Sequence, residues 1–432
     1  MYSAVTESVT KGRLNISDLG PRFGSTKPAT AAMRGALTLI VLSALILMAA
    51  RPAQAQTETV LYNFTRGSDG GNPQSSLTSD GAGNFYGTTY YGGLACGESP
   101  YGCGTVFELS PNGSGGWNET VLYAFCSAPN CADGANPEFS SLIFDSLGNL
   151  YGTALLGGAN GYGVVFELSP AGANWTESVL YSFANDGDGA YPAAGLIMDK
   201  AGNLYGTTED GPHGTGNTVF EVSPSGGGWT EQTIYSGGFG SYAGLAMDAA
   251  GNLFGVTYST VFELSPNGGG GWNPAVIHTF TGSPKDGTYA YGTLVLDKSG
   301  NLYGTTYFGG AKNYGTVYEL SPRKKGKWTE KILHSFKSGK DGANPFAGIV
   351  FDSAGNIYGT TQGGGKFSAG TVFELVAPVG KGSYKEKVLW SFNGTDGNFP
   401  DGSPILDSAG NLYGTTDIGG SNGDGVVFEV TP

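Results

Sequence analysis

The chain has 432 residues, 76 of them glycine, and a formal net charge of −14. Aromatic residues make up 12 % and charged residues only 13 %, which argues against disorder, a state of few aromatics and many charges. So much glycine without a Gly-X-Y period points to short strands joined by tight turns, and the acidic balance argues against nucleic acid or anionic lipid as partner, since both need clustered Lys and Arg.

In chain order, residues 1–55 read as a signal region. Arg34 precedes an uncharged apolar run from Ala36 to Ala50, followed by Arg51-Pro52 and Ala53-Gln54-Ala55. A basic flank, a short apolar stretch and an A-x-A site predict secretion with cleavage after Ala55, and Met33 stands where such a signal normally starts. The run falls short of the roughly 20 apolar residues that span a bilayer, so no stable membrane span is expected after cleavage. The expected location is extracellular, periplasmic or at the cell surface.

From residue 56 onward the chain repeats itself. Gly-Asn-x-Tyr-Gly-Thr-Thr begins at Gly83, Gly148, Gly202, Gly251, Gly300, Gly355 and Gly410, with small changes such as Phe254 and Val256. Val-Phe-Glu-Leu recurs around Glu108, Glu167, Glu221, Glu263, Glu319, Glu374 and Glu429, and a Val-Leu-Tyr-Ser-Phe pattern recurs between them. A repeat of about 50 residues fits a four-stranded propeller blade. Each unit predicts strand A before an Asp, B on Asn-x-Tyr-Gly-Thr-Thr, C on Val-Phe-Glu-Leu and D opening on Trp117, Trp175, Trp229, Trp272 or Trp328. The chain opens on a lone D-type segment, Val60–Phe64, and its last repeat stops at a C-type segment, Gly425–Val430. The expectation is an all-β, seven-bladed propeller over 56–432, closed by the N-terminal strand joining the last blade and leaving no open edge.

Cys96, Cys103, Cys126 and Cys131 fall in one short region. An even number in an exported chain predicts disulfides, of which the local pairing Cys96–Cys103 with Cys126–Cys131 is favoured. Zinc is the rival reading, weakened by the lack of Cys-x-x-Cys or a neighbouring His.

The unit Asn301-Leu302-Tyr303-Gly304-Thr305-Thr306-Tyr307-Phe308-Gly309-Gly310, then Val317-Tyr318-Glu319-Leu320, then Trp328, resembles a kelch repeat. More specifically, the recurring Gly-Asn-Leu-Tyr-Gly-Thr-Thr and Val-Phe-Glu-Leu-Ser-Pro resemble the GloVer tandem repeat of bacterial "choice-of-anchor" surface proteins. That resemblance implies export and a propeller, and carries no activity to transfer. The chain ends at Val430-Thr431-Pro432 without an anchor segment, which counts against surface attachment.

Repeated residues are poor catalytic candidates, because a site is singular while a sevenfold residue serves the blade. The strand-C glutamates and turn aspartates are accordingly read as structural. His278 and His334 occupy a strand-D position held elsewhere by tyrosine or tryptophan, which favours packing over metal binding, and His213 stands alone in a loop. Asn185-Asp186-Gly187-Asp188-Gly189 has the oxygen-rich chemistry of a calcium loop, with Asp186 and Asp188 as its carboxylates, but no later bidentate Glu. No cofactor motif is found.

Variable loops on a rigid scaffold are where binding resides. The B–C and D–A loops of the first two blades are long and cysteine-bearing, and they place Tyr90, Tyr91 and Tyr101 beside Glu98, Asp133 and Glu138. The sequence therefore predicts a binding or scaffold module for a carbohydrate or protein ligand on that face. The alternative is an extracellular propeller enzyme such as a polysaccharide lyase, lactonase or glycoside hydrolase, which needs a non-repeated acid or base at the pore mouth.

Overall fold

Every residue of the Gly-Asn-x-Tyr-Gly-Thr-Thr motif has a separate physical task in the computed structural model, which describes residues 56–96, 100–211, 214, 216–238 and 242–432. Blade 2 shows four of them, Asn149, Tyr151, Gly152 and Thr153, and has Ala154 at the last position. Asp145 closes the A–B turn, accepting from the backbone N–H groups of Leu147 and Asn149 and from the Asn149 amide at 2.8–2.9 Å. The Tyr151 hydroxyl donates to the same carboxylate at 3.2 Å, and these bonds hold Asp145 below its ordinary pKa despite partial burial. Gly152 lies under the Phe166 ring of strand C, where an added Cβ would sit 2.6 Å from Cζ. The first Thr crosses the seam between blades, Thr153 Oγ1 donating to the Ala194 carbonyl at 2.9 Å. In blade 3 the second Thr ties B to C, Thr208 to Thr218, at 2.7 Å.

Seven four-stranded antiparallel sheets result. In blade 3 they run Ile197–Met198, Leu204–Thr208, Thr218–Ser225 and Gly228–Ser236. Strand A is thus only two residues long, shorter than the apolar run suggested. Blade 7 uses Ile405–Leu406, Leu412–Thr416 and Val426–Thr431, and its outermost strand is Thr57–Asn63. That strand pairs antiparallel with the C-terminal one from Thr57 opposite Thr431 to Asn63 opposite Val426. Strand C is buried on both faces, whereas the outer D strand alternates.

The core lies in the seams between blades. Phe64 packs edge-on against Phe107, Phe125 against Phe166 and Phe183 against Phe220, each at 5.1–5.2 Å. Trp229 reaches back to Tyr151 and Trp328 to Phe254. Near the rim, six seams repeat one polar arrangement. The D-strand tip meets the Asp of the following loop, as in Tyr123 to Asp133 (2.7 Å), Tyr181 to Asp188 (2.8 Å) and the Trp390 indole to Asp396 (3.1 Å). A glutamate of the next blade's D strand faces that Asp. Burial first, and the Asp charge second, push Glu119 and Glu177 up to about 7 and Glu58 up to about 8. The seam between blades 3 and 4 has Pro274 at the glutamate position.

Candidate functional site at the channel mouth

Ser76, Ser141, Gly195, Gly244, Thr293, Gly348 and Ser403, one from each blade and each just ahead of strand A, line a single cavity of about 260 Å³. Seven equivalent residues around one space place it on the ring axis. They are small because neighbouring blades meet there: a Cβ on Gly195 would stand 2.7 Å from the Ser141 carbonyl. Where side chains exist they bond across blades, as Ser403 N–H to Ser76 Oγ at 2.8 Å.

Two positions of the repeat near this cavity differ from blade to blade, and the first of them lines it in six of the seven blades. Two residues before the small residue stand Gln74, Phe139, Ala193, Tyr242, Tyr291, Phe346 and Asp401; directly after the Thr-Thr of strand B stand Tyr90, Leu155, Glu209, Tyr258, Tyr307, Gln362 and Asp417. Aromatic and acidic side chains stand among one another there, Glu209 and Glu138 acting on Tyr242. Tyr291 stacks on Phe346 at 4.9 Å and 26°. Phe139 packs against both Phe346 and Tyr242, and Tyr258 and Tyr307 close edge-on around Tyr291.

Carboxyls and amides form a connected bank near the same cavity. Gln362 donates to Asp401 Oδ1 at 2.7 Å, and Gln74 and Asn72 donate to Asp417 Oδ1 at 3.1 and 3.0 Å. Burial pushes Asp401 well above the usual carboxylate range, with the Asp417 and Glu138 charges adding to it. Asp417 is itself raised by burial, against its amide donors and Arg66. Burial and then Asp417 push Glu138 up to about 7, and burial and then Glu138 push Glu209 up to about 8. Glu138 and Glu209, raised to about 7 and 8, hold protons near neutrality. They present donors as well as acceptors.

The residues singled out from sequence divide among three places. Glu138 belongs to this bank; half-buried Tyr90 lines a second groove with Tyr91 and Tyr101, its hydroxyl pushed up to about 12 by burial and by Glu138. Tyr91 and Tyr101 sit farther out: the Arg66 guanidinium lies 5.5 and 5.4 Å from their ring centres while pairing with Asp424 at 2.7 Å. Tyr101 is 53 % exposed. This second groove is walled by the bridges Cys96–Cys103 and Cys126–Cys131. The four cysteines are all consumed in these two disulfides, which leaves the zinc reading no thiolate. Asp133 is a loop closer, its carboxylate accepting from Tyr123, from the N–H and Oγ of Ser127 and from Ala128 N–H. Asp188 does the same, accepting from Tyr181, Ala184 N–H and Asp186 N–H, so the suggested calcium loop spends one of its two carboxylates inside the fold. Glu98, His213 and the signal region 1–55 lie outside the described residues.

Glu209, Asp401, Asp417, Tyr242, Tyr291 and Phe346 escaped the sequence reading. The signal that finds them is variation, because they occupy repeat positions where the seven copies disagree between flanks that agree.

The architecture and its axial cavity define a β-propeller repeat protein of seven blades. The Gloeobacter/Verrucomicrobia repeat model matches residues 93–270 and 257–432, and the chain belongs to that family. Among curated proteins none matches. Solved structures with the same fold include the extracellular domain assigned to a hybrid two-component system of B. thetaiotaomicron, at 15 % identity and TM-score 0.53, over 87 % of this chain and 41 % of that one. The chain thus spans less than half of that protein. Another is a protein assigned as a 6-phosphogluconolactonase from Bacteroides uniformis, at 12 % identity and TM-score 0.50, over 79 % of this chain and 89 % of that one.

Proposed function

We propose that this protein is an exported binding module that takes a carbohydrate at the mouth of its central channel. The observation that carries the reading is the axial cavity lined by the Tyr291–Phe346 stack together with Asp401, with the raised carboxyls Glu138, Glu209 and Asp417 gathered near it. A sugar ring offers an apolar face to aromatics and a rim of hydroxyls to carboxyls and amides. Glu138 and Glu209, which hold protons near neutrality, can donate to those hydroxyls. Export agrees with two disulfides in one chain, since such bonds persist in oxidising compartments. Among the described residues no helix is long and apolar enough to cross a membrane.

One specific feature favours a second reading. Glu138 and Glu209 are raised to about 7 and 8 beside each other, the setting of a general acid next to a general base, and neither is repeated among the blades. On that reading the bound sugar is cleaved by a hydrolase or lyase mechanism. Screening the secreted chain on a glycan array, then incubating each bound glycan with parent and Glu209→Gln, separates the two. Binding without turnover supports the module; turnover lost in Glu209→Gln supports the enzyme; no glycan bound refutes both.

A further inference from the structure

The seam between blades 4 and 5 departs from the pattern of the other seams. In four other seams the D-strand tip, Tyr62, Tyr123, Tyr181 or Trp390, gives a hydrogen bond to the facing Asp. Here the tip is His278, whose Nε2 can also be a metal ligand. It stands 3.5 Å from Asp286 Oδ2 and 3.5 Å from Glu330 Oε1, midway between two carboxyls and in hydrogen-bond geometry with neither. Nε2 and Glu330 Oε1 are buried and short of a hydrogen bond, as the matching glutamate oxygens of Glu58, Glu119, Glu177 and Glu386 are in other seams. What sets this seam apart is that the nitrogen stands between two carboxyls. One donor atom from each of the three residues falls within 4.8 Å of the others. Donors bound to zinc at roughly 2.0–2.2 Å in a tetrahedron stand ~3.4 Å apart, so the two measured separations are those of ligands around an ion.

The surroundings hold the trio in place. The imidazole packs edge-on against Phe280 at 4.8 Å, which sets its plane. Thr281 donates to Asp286 Oδ2 through N–H at 2.7 Å and Oγ1 at 3.0 Å, the kind of outer support that orients a ligating carboxylate. The side chains of His278 and Glu330 remain 17 % exposed, enough for an ion to enter and for water to complete its shell. The next seam supplies an internal contrast. His334 occupies the same slot with its Nε2 also short of a hydrogen bond, but it lies closer to one carboxylate, Asp341 at 3.2 Å, and forms no three-donor group of this compactness among the described residues.

We propose that His278, Asp286 and Glu330 bind one zinc-like divalent ion that clips blade 4 to blade 5. His278 and Asp286 belong to blade 4 and the loop leaving it, and Glu330 to the outer strand of blade 5, so the ion bridges the seam. One nitrogen with two carboxylates suits zinc and disfavours calcium, which takes six to eight oxygens.

The test uses the tag-free secreted chain, stripped with chelator and titrated with Zn²⁺ or Ca²⁺, with metal content and melting midpoint as readouts. His278→Tyr is the informative variant, because it restores the residue that four other blades carry and leaves the fold intact. The expected result is one zinc per parent chain, a melting midpoint raised by zinc and not by calcium, and loss of both effects in His278→Tyr and Glu330→Gln. Zinc bound equally by parent and His278→Tyr, calcium bound as well as zinc, or no zinc retained at micromolar concentration would each overturn the assignment.

Discussion

Replacing Glu177 by Gln should stabilise the protein above neutrality and change it little in acid. Glu177 stands on the outer strand of blade 2, facing Asp133 across the seam, and its buried Oε1 has no partner. Burial first and the Asp133 charge second raise its pKa from 4.5 to about 7. The folded chain therefore keeps a proton that the unfolded chain releases, and stability falls as pH climbs between those two values. The cost is absent below the unfolded value and complete once pH passes the folded one. A rise of that size corresponds to ~3.4 kcal/mol at full strength; because the carboxyl keeps a wetted edge, screening reduces it to roughly 1–2 kcal/mol. Glutamine has the same shape, cannot ionise, and offers an amide donor to Asp133. Urea denaturation of parent and variant at pH 5 and pH 8.5 provides the comparison. The variant should gain ~1–2 kcal/mol at pH 8.5 and only a few tenths at pH 5. A variant weaker than the parent at pH 8.5 would mean that the ionised carboxylate contributes stability, and the account of the seams would be wrong.

Three further outcomes follow from the fold. Gly206→Ala places a Cβ 2.4 Å from Phe220 Cζ, and the overpacked seam should lower stability by ~1–3 kcal/mol in a denaturation curve; an unchanged curve would show that the ring can move aside. Deleting residues 57–63 removes the outer strand of blade 7 and bares Val426–Thr431 as an edge, so the truncated chain should aggregate in light scattering. Monomeric, cooperatively melting material would refute that expectation. Reducing the two disulfides, which close loops of sequence separation 7 and 5, should cost at most ~2–3 kcal/mol each and leave the propeller's circular dichroism intact; global unfolding on reduction would count against it.

The repeats made the blades legible because one physical problem, seating an aromatic over a bare backbone and tying a turn with Asp, is solved seven times in the same letters. Gly152 under Phe166 and Asp145 under Asn149 are readable for that reason. Local disulfide pairing was legible from spacing. The axial residues were not legible from loop length and cysteines, which point to Tyr91 and Tyr101, where the Arg66 guanidinium lies over the aromatic faces. Asp133 looked like a ligand contact because its role depends on Tyr123 and Ser127, which only the fold brings to it. Asp401 and Asp417 are far from Glu138 in sequence and meet it only through ring geometry, so neither drew attention in a linear reading.

The location of the binding site is tested most directly by calorimetric titration of one array-selected glycan into parent, Phe346→Ala and Tyr101→Ala, with the melting midpoint of each recorded alongside. Loss of a stacking aromatic should weaken binding by ~1–3 kcal/mol in Phe346→Ala and leave Tyr101→Ala at the parent affinity. Parent-like binding by Phe346→Ala together with lost affinity in Tyr101→Ala would move the site to the disulfide-walled groove and contradict the channel-mouth assignment.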